Sequence, residues 1–256
     1  MIKWIFIAVF LFTGGAVQIA NDNLRVTHIN NELLHIDGMD HLELKGPIKK
    51  IIENRFDIFF KKGGGFKTDS SSLMQYLMEF DSQSRLISEI SYYDEDKRQV
   101  LFELTYNKDY IEKNSFVTGE GQAFKMRYFC DKQNRIVKAE QYYPGGRKNP
   151  CNRMISYNSK GLVYKKWITC TDDTSIFLYD DNKQLKQFRS KRLDSLEFKC
   201  DYWYEGNVKY TKCSENFIYS YIRTYDKYGN WVKEICYKGA YPLVATYRTI
   251  QYYEKK

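Results

Sequence analysis

Tyr225-Asp226-Lys227-Tyr228-Gly229-Asn230-Trp231-Val232-Lys233 is the stretch whose reading decides the fold. It reads as the end of one strand, a tight turn and the start of the next. An aspartate opens such a turn because its side chain can bond the backbone two residues on. Three residues later the chain needs a positive φ, which glycine adopts without steric penalty. Asp226 and Gly229 are therefore present for backbone geometry, and Tyr228 and Trp231 are left as candidates for contact.

Working outward, looser copies occur at Phe56-Asp57, Phe80-Asp81, Tyr106-Asn107, Cys130-Asp131, Tyr157-Asn158, Tyr179-Asp180 and Tyr204-Glu205, at intervals of 21 to 27 residues. A period near two dozen is too short for a propeller blade and suits one hairpin per repeat. Asn158 and Gly161 meet the turn requirement and Asn134 meets it passably. Ser84, Lys183 and Tyr110 do not, so those turns must close differently or hold strain. Between turns the residues alternate with a strand period, as in Val163–Thr169. The expected fold is all-β: an elongated, twisted antiparallel β-meander of about eight hairpin repeats of roughly 24 residues each.

One hairpin can be registered to the residue. Gly206-Asn207 reads as a two-residue loop, which pairs Glu205 with Val208, Trp203 with Tyr210 and Cys200 with Cys213. The two cysteines then fall on a non-hydrogen-bonded pair, where Cα atoms approach to about 4.5 Å, within reach of a disulfide. Cys151 and Cys170 flank the Asn158–Gly161 turn almost symmetrically, and a bulge that shifts register by one residue makes them partners as well. Cys130 and Cys236 have no local partner and read as small buried hydrophobes. No pair of the six cysteines has the CxxC spacing of a zinc or redox centre.

Residues 1–20 read as a signal peptide: a basic start at Lys3, an apolar run from Trp4 to Phe12, and cleavage after Ala16 or Ala20. The run is too short to span a bilayer. No cysteine follows it, so a lipid anchor is not expected, and the mature chain is expected in the periplasm or secreted. Residues 21–43 form an irregular segment that holds His28, His35 and His41, at spacings that do not make a metal site. Residues 44–256 form the β-repeat domain. The formal charge is +8, but Lys and Arg are scattered among aromatics, as on solvated strand faces, and nucleic acid is not an expected partner. Val163–Thr169 and Leu185–Arg192 put charge on both faces of their strands. Lipid does not tolerate that, so a membrane-spanning barrel of the porin kind is not expected.

The Tyr-Asp-x-x-Gly-Asn run at Tyr225–Asn230, with its weaker copies, resembles the YD (RHS-type) repeats. Leu44-Lys45-Gly46-Pro47-Ile48-Lys49 leading to Phe56-Asp57 is similar to the start of small exported RHS-like repeat proteins of the Bacteroidetes type. The resemblance spans roughly residues 44 to 253. Long members of that family build β-sheet shells and are often labelled sugar-binding; this chain is too short for a full shell, and the resemblance brings no catalytic residue.

No nucleophile elbow, HExxH, P-loop or dinucleotide fingerprint is present. The chain is thus read as having no catalytic residue, no cofactor and no metal. The aromatics, 17% of residues with 23 Tyr, are the remaining functional hint, and Tyr202, Trp203, Tyr228 and Trp231 are the candidate contact residues. The expected function is a non-catalytic, exported binding or cell-envelope interaction module, with an unidentified protein or glycan partner of the envelope or extracellular space. The alternative is a carbohydrate-active enzyme on the same scaffold.

Overall fold

In the computed structural model, which describes residues 44–61, 64–92, 98–117, 121–191, 197–213 and 217–254, the Asp226 carboxylate organises its turn as its position requires. Its Oδ1 accepts hydrogen bonds from the Tyr228 and Asn230 backbone N–H groups, each at 2.9 Å, and Gly229 sits at φ 82°. The same pattern recurs at Asp81, Asp131 and Asn158, where the side-chain oxygen again accepts from the N–H groups two and four residues on. Ser84, Asn134 and Lys183 occupy the glycine position at φ 59°, 58° and 64°. Ser84 and Lys183 thus hold the strained, left-handed backbone. The Tyr110 turn closes differently, with the Asn107 N–H donating directly to the Tyr110 carbonyl at 3.0 Å. Phe56-Asp57, the first copy of the motif, turns nothing and lies inside a strand.

The strands are β1 (Ile48–Phe60), β2 (Phe66–Thr68), β3 (Met74–Phe80), β4 (Leu86–Tyr92), β5 (Arg98–Tyr106), β6 (Ile111–Val117), β7 (Gly121–Cys130), β8 (Ile136–Tyr142), β9 (Lys148–Tyr157) and β10 (Val163–Ile168). They continue as β11 (Thr174–Tyr179), β12 (Leu185–Lys191), β13 (Phe198–Glu205), β14 (Val208–Cys213), β15 (Ile218–Tyr225), β16 (Trp231–Lys238) and β17 (Tyr241–Tyr252). Each pairs antiparallel with the next from β3 onward. Register slips by one residue beside the tight turns, at Glu79/Phe80, Phe129/Cys130, Leu178/Tyr179 and Thr224/Tyr225, which is the bulge that a left-handed turn residue imposes.

The sheet does not stay open. β1 pairs with β3 on one side and with β17 on the other, from Ile48↔Tyr252 to Asp57↔Val244. The result is a closed 16-strand β-barrel, β2 being a short continuation of β3 along the far end of β1. The expected open, elongated meander is therefore corrected. Local pairing is as read, but joining the first and last strands satisfies two edges that an open sheet leaves bare. Residues 1–43, which hold the expected signal peptide and the three histidines, lie outside the described residues.

Following the register round the ring puts one set of side chains on the inner face. Ile51, Met78, Leu104, Met126, Tyr128 and Ala139 belong to it and are all under 8% exposed. Val163, Phe177, Leu185, Cys200 and Tyr202 form a second packed cluster on the same face. Beside the tight turns the inner lining is apolar. Further along the strands it becomes ionic, with Glu53, Glu89, Lys113, Lys209, Arg223, Glu234 and Arg248.

Candidate binding surface

Asn230, which follows Gly229 in the opening motif, is 2% exposed and ties the residues before β1 to the end of β17. Its Oδ1 accepts from the Lys45 N–H at 2.7 Å, and its Nδ2 donates to the Lys45 carbonyl at 2.7 Å and to the Tyr252 hydroxyl at 2.8 Å. The Tyr252 hydroxyl in turn donates to Asp226, whose carboxyl stays below its usual range: burial opposes ionisation, but the Tyr252 and backbone donors outweigh it. The Tyr of two other repeats does a related task for the preceding one. Tyr106 donates to the Leu86 carbonyl at 2.8 Å and lies under the Arg85 guanidinium, and Tyr157 does the same with Ile136 and Arg135. At Tyr106 and Tyr157 the aromatic half of the motif is therefore a lock on the neighbouring turn.

This changes what the four candidate aromatics can touch. Tyr202 is 4% exposed and belongs to the inner core. Tyr228 packs on Tyr252 with ring centroids 4.2 Å apart, and a Cβ at Gly46 would press against it. Trp231 packs against the core, with the Arg248 guanidinium 3.2 Å from its ring centroid. Only Trp203 lies on the outer wall, stacked on Tyr210 at 5.1 Å. Tyr202 is thus shut off from solvent, while Tyr228 and Trp231 are half-buried against their neighbours.

The remaining predicted positions fall where their turns place them. Cys200–Cys213 and Cys151–Cys170 are disulfides, with Cα separations of 4.0 and 5.4 Å. Cys200 faces Cys213 in the register that the Gly206-Asn207 loop dictates. Gly161 and Gly206 take φ 77° and 59°. Asn207 Nδ2 also reaches the Arg223 carbonyl at 2.8 Å. Cys130 remains a thiol, and burial pushes it up to about 11. Among the described residues no cluster of three His, Cys, Asp or Glu side chains could hold a metal.

The outer wall has two characters. Over β6 to β9 it is ionic. Glu112 binds Lys125 and Arg127 at 2.9 and 3.0 Å, and Glu140 binds Lys138 and Lys148 at 2.5 and 2.7 Å. Burial works against the Glu140 carboxylate, yet hydrogen bonds from Lys138, Lys148 and Tyr142 hold it down at about 2. Over β14 to β17 and onto β1 a cross-strand row runs Val208, Ile222, Ile235, Ala245, Phe56. At the rim opposite the tight turns this side ends in exposed rings: Phe60 at 52%, Phe66 at 47%, Phe217 at 50% and Tyr241 at 60%. None of these was named as a contact residue from sequence. Each is one aromatic among many, and only closure brings the β1–β2 and β16–β17 tips together.

No family model and no curated protein matches this chain. Among solved structures, a porin-like protein from Bacteroides uniformis aligns over 81% of this chain and 99% of its own, at 11% identity and a TM-score of 0.56. The likeness is one of fold. A second porin-like protein, from Bacteroides vulgatus, aligns over 82% of this chain and 100% of its own at 11% identity, with a TM-score of 0.34 too low to build on.

Proposed function

We propose that the chain is an exported, non-catalytic binding module of the cell envelope: a YD-type repeat closed into a barrel that is not embedded in lipid. The observation that carries this is the outer wall over β6 to β9. Glu112, Glu140 and their four basic partners occupy the side where a lipid-embedded barrel presents an apolar belt. Strand length supports it, since β10, β11 and β14 have 6 residues each against about 9–11 for a membrane-crossing strand. Exposed aromatics gathered at one rim supply the binding surface. The test is to express residues 21–256 and to extract native envelopes at alkaline pH. A monodisperse protein without detergent, released by carbonate, is expected. A protein that stays soluble only in detergent and resists release overturns the reading.

One observation favours a carbohydrate-active enzyme as a second reading. Burial pushes the Glu89 carboxyl up to about 7, with the Glu53 carboxylate adding to the shift and Lys113 opposing it. An acid kept protonated near a second carboxylate is the pairing a glycosidase uses. Hydrolysis of a glycan panel that is lost in Glu89→Gln would establish it, and absence of turnover by the parent protein would dismiss it.

A further inference from the structure

We infer that the exposed aromatic rim is a docking surface for an anionic phospholipid bilayer, so that the barrel rests on a membrane by its edge. The inference rests on the reading of the barrel as a binding module outside the lipid and names that module's partner.

The rim is one contiguous patch drawn from four strands. Phe60 lies against Phe66 at 4.6 Å and against Tyr241 at 5.4 Å, joining the β1–β2 tip to the β16–β17 tip. The Gly239 N–H donates to the Ile218 carbonyl at 3.1 Å, bringing in the start of β15, where Phe217 and Ile218 are 50% and 44% exposed. A monomeric soluble protein seldom displays so many large apolar side chains together without a use for them. Lysines lie along the same tips. Lys61 and Lys67 flank Phe60 and Phe66 in sequence, Lys212 pairs across the sheet with Ile218, and the Lys238 ammonium sits 3.6 Å from the Phe217 ring centroid. Among the described residues, Asp57 and Asp69 flank the β1–β2 tip in sequence and Asp172 and Asp173 lie on the same rim between β10 and β11; the Asp69 carboxylate is engaged by the Ser71 N–H and hydroxyl.

Apolar tips ringed by ammonium groups match the bilayer interface. The rings enter the headgroup and acyl boundary, while long lysine stems carry their charges back to lipid phosphates. Two other occupants fit less well. A second copy would set the lysines of one patch against those of the other. A glycan stacks on a flat, open ring face, whereas Phe60 meets Phe66 and Tyr241 at 55° and 72° and offers edges instead.

The test is flotation of residues 21–256 with vesicles of phosphatidylcholine alone or with about one-third phosphatidylglycerol, at low and high salt. Expected is flotation with the anionic vesicles at least tenfold above that with phosphatidylcholine, and weakened by salt. The double variant Phe60→Ser with Tyr241→Ser should lose it at least tenfold, as should Lys67→Glu with Lys238→Glu. Tyr164→Ser, at a ring 43% exposed but on β10, should bind as the parent does. Thermal melts of all variants confirm that they fold, as substitution of exposed side chains allows. The inference is overturned if the detergent-free protein fails to float, if both rim variants float like the parent, if flotation ignores lipid charge, or if the rim variants instead turn a dimer into a monomer. A chain that cannot be kept soluble at all fails earlier and counts against the barrel reading, not this one.

Discussion

Replacing Asn230 by alanine tests whether the tight turn between β15 and β16 is also the fastener of the barrel's chain ends. The side chain makes three hydrogen bonds at 2.7 to 2.8 Å, two to the Lys45 backbone and one to Tyr252, from a position 2% exposed. At about 1 kcal/mol net for each bond, the loss is about 3 kcal/mol. In a domain of this size 1 kcal/mol moves Tm by about 2–4 °C, so a fall of about 6–12 °C is expected in a thermal melt followed by circular dichroism with disulfides intact. Asn230→Asp should do worse. It keeps the acceptor for the Lys45 N–H but sets a carboxylate against the Lys45 carbonyl, where a donor is required. A shift under about 2 °C for the alanine variant, or an aspartate variant more stable than the alanine one, refutes the idea that this side chain secures the seam.

The tyrosine locks predict that Tyr157→Phe, which deletes only the hydroxyl bonded to the Ile136 carbonyl at 2.7 Å, costs about 1 kcal/mol in urea unfolding; an unchanged midpoint would show the lock to be idle. Lys183 holds φ 64°, so Lys183→Gly should gain up to about 1 kcal/mol, and a loss of stability would mean that the lysine side chain outweighs the backbone strain. For Glu89 the pH dependence has a definite sign. A carboxyl raised from 4.5 to about 7 on folding binds more protons folded than unfolded, so its penalty is absent below about pH 4.5 and grows as pH rises through 7. Glu89→Gln should therefore stabilise the protein at pH 8, by at most about 3 kcal/mol, and flatten stability between pH 4.5 and 7; equal slopes for parent and variant would sink the assignment.

Turn chemistry was legible because it is local. Asp226 and Gly229 satisfy each other within four residues, and the two-residue Gly206-Asn207 loop leaves one register for β13 and β14, which places Cys200 opposite Cys213. Closure was not legible. Its decisive contacts join residues nearly two hundred positions apart, such as Glu53 with Arg248 at 2.7 Å, and no turn or spacing marks them. Charge on both faces of β10 and β12 argued against lipid, and that is a separate matter from whether the first and last strands meet. Which candidate aromatics face outward was not legible for the same reason. Alternation says that Tyr202 and Trp203 point to opposite faces, but in an open sheet both faces meet solvent and neither ring is favoured. Once β1 pairs with β17 one face becomes the interior, and Tyr202 goes in while Trp203 stays out. Trp231 is turned inward by the one-residue slip at Thr224/Tyr225, and there Arg223 and Arg248 crowd its ring and Glu234 and Glu53 balance their charges. Those four ionic residues look like surface charges when each strand is read alone. They lie in the interior because the register is continuous round the ring, and the register that buries them is also what brings Phe60 beside Tyr241. An exposed aromatic rim and an ionic interior are thus two consequences of one pairing that only the closed fold contains.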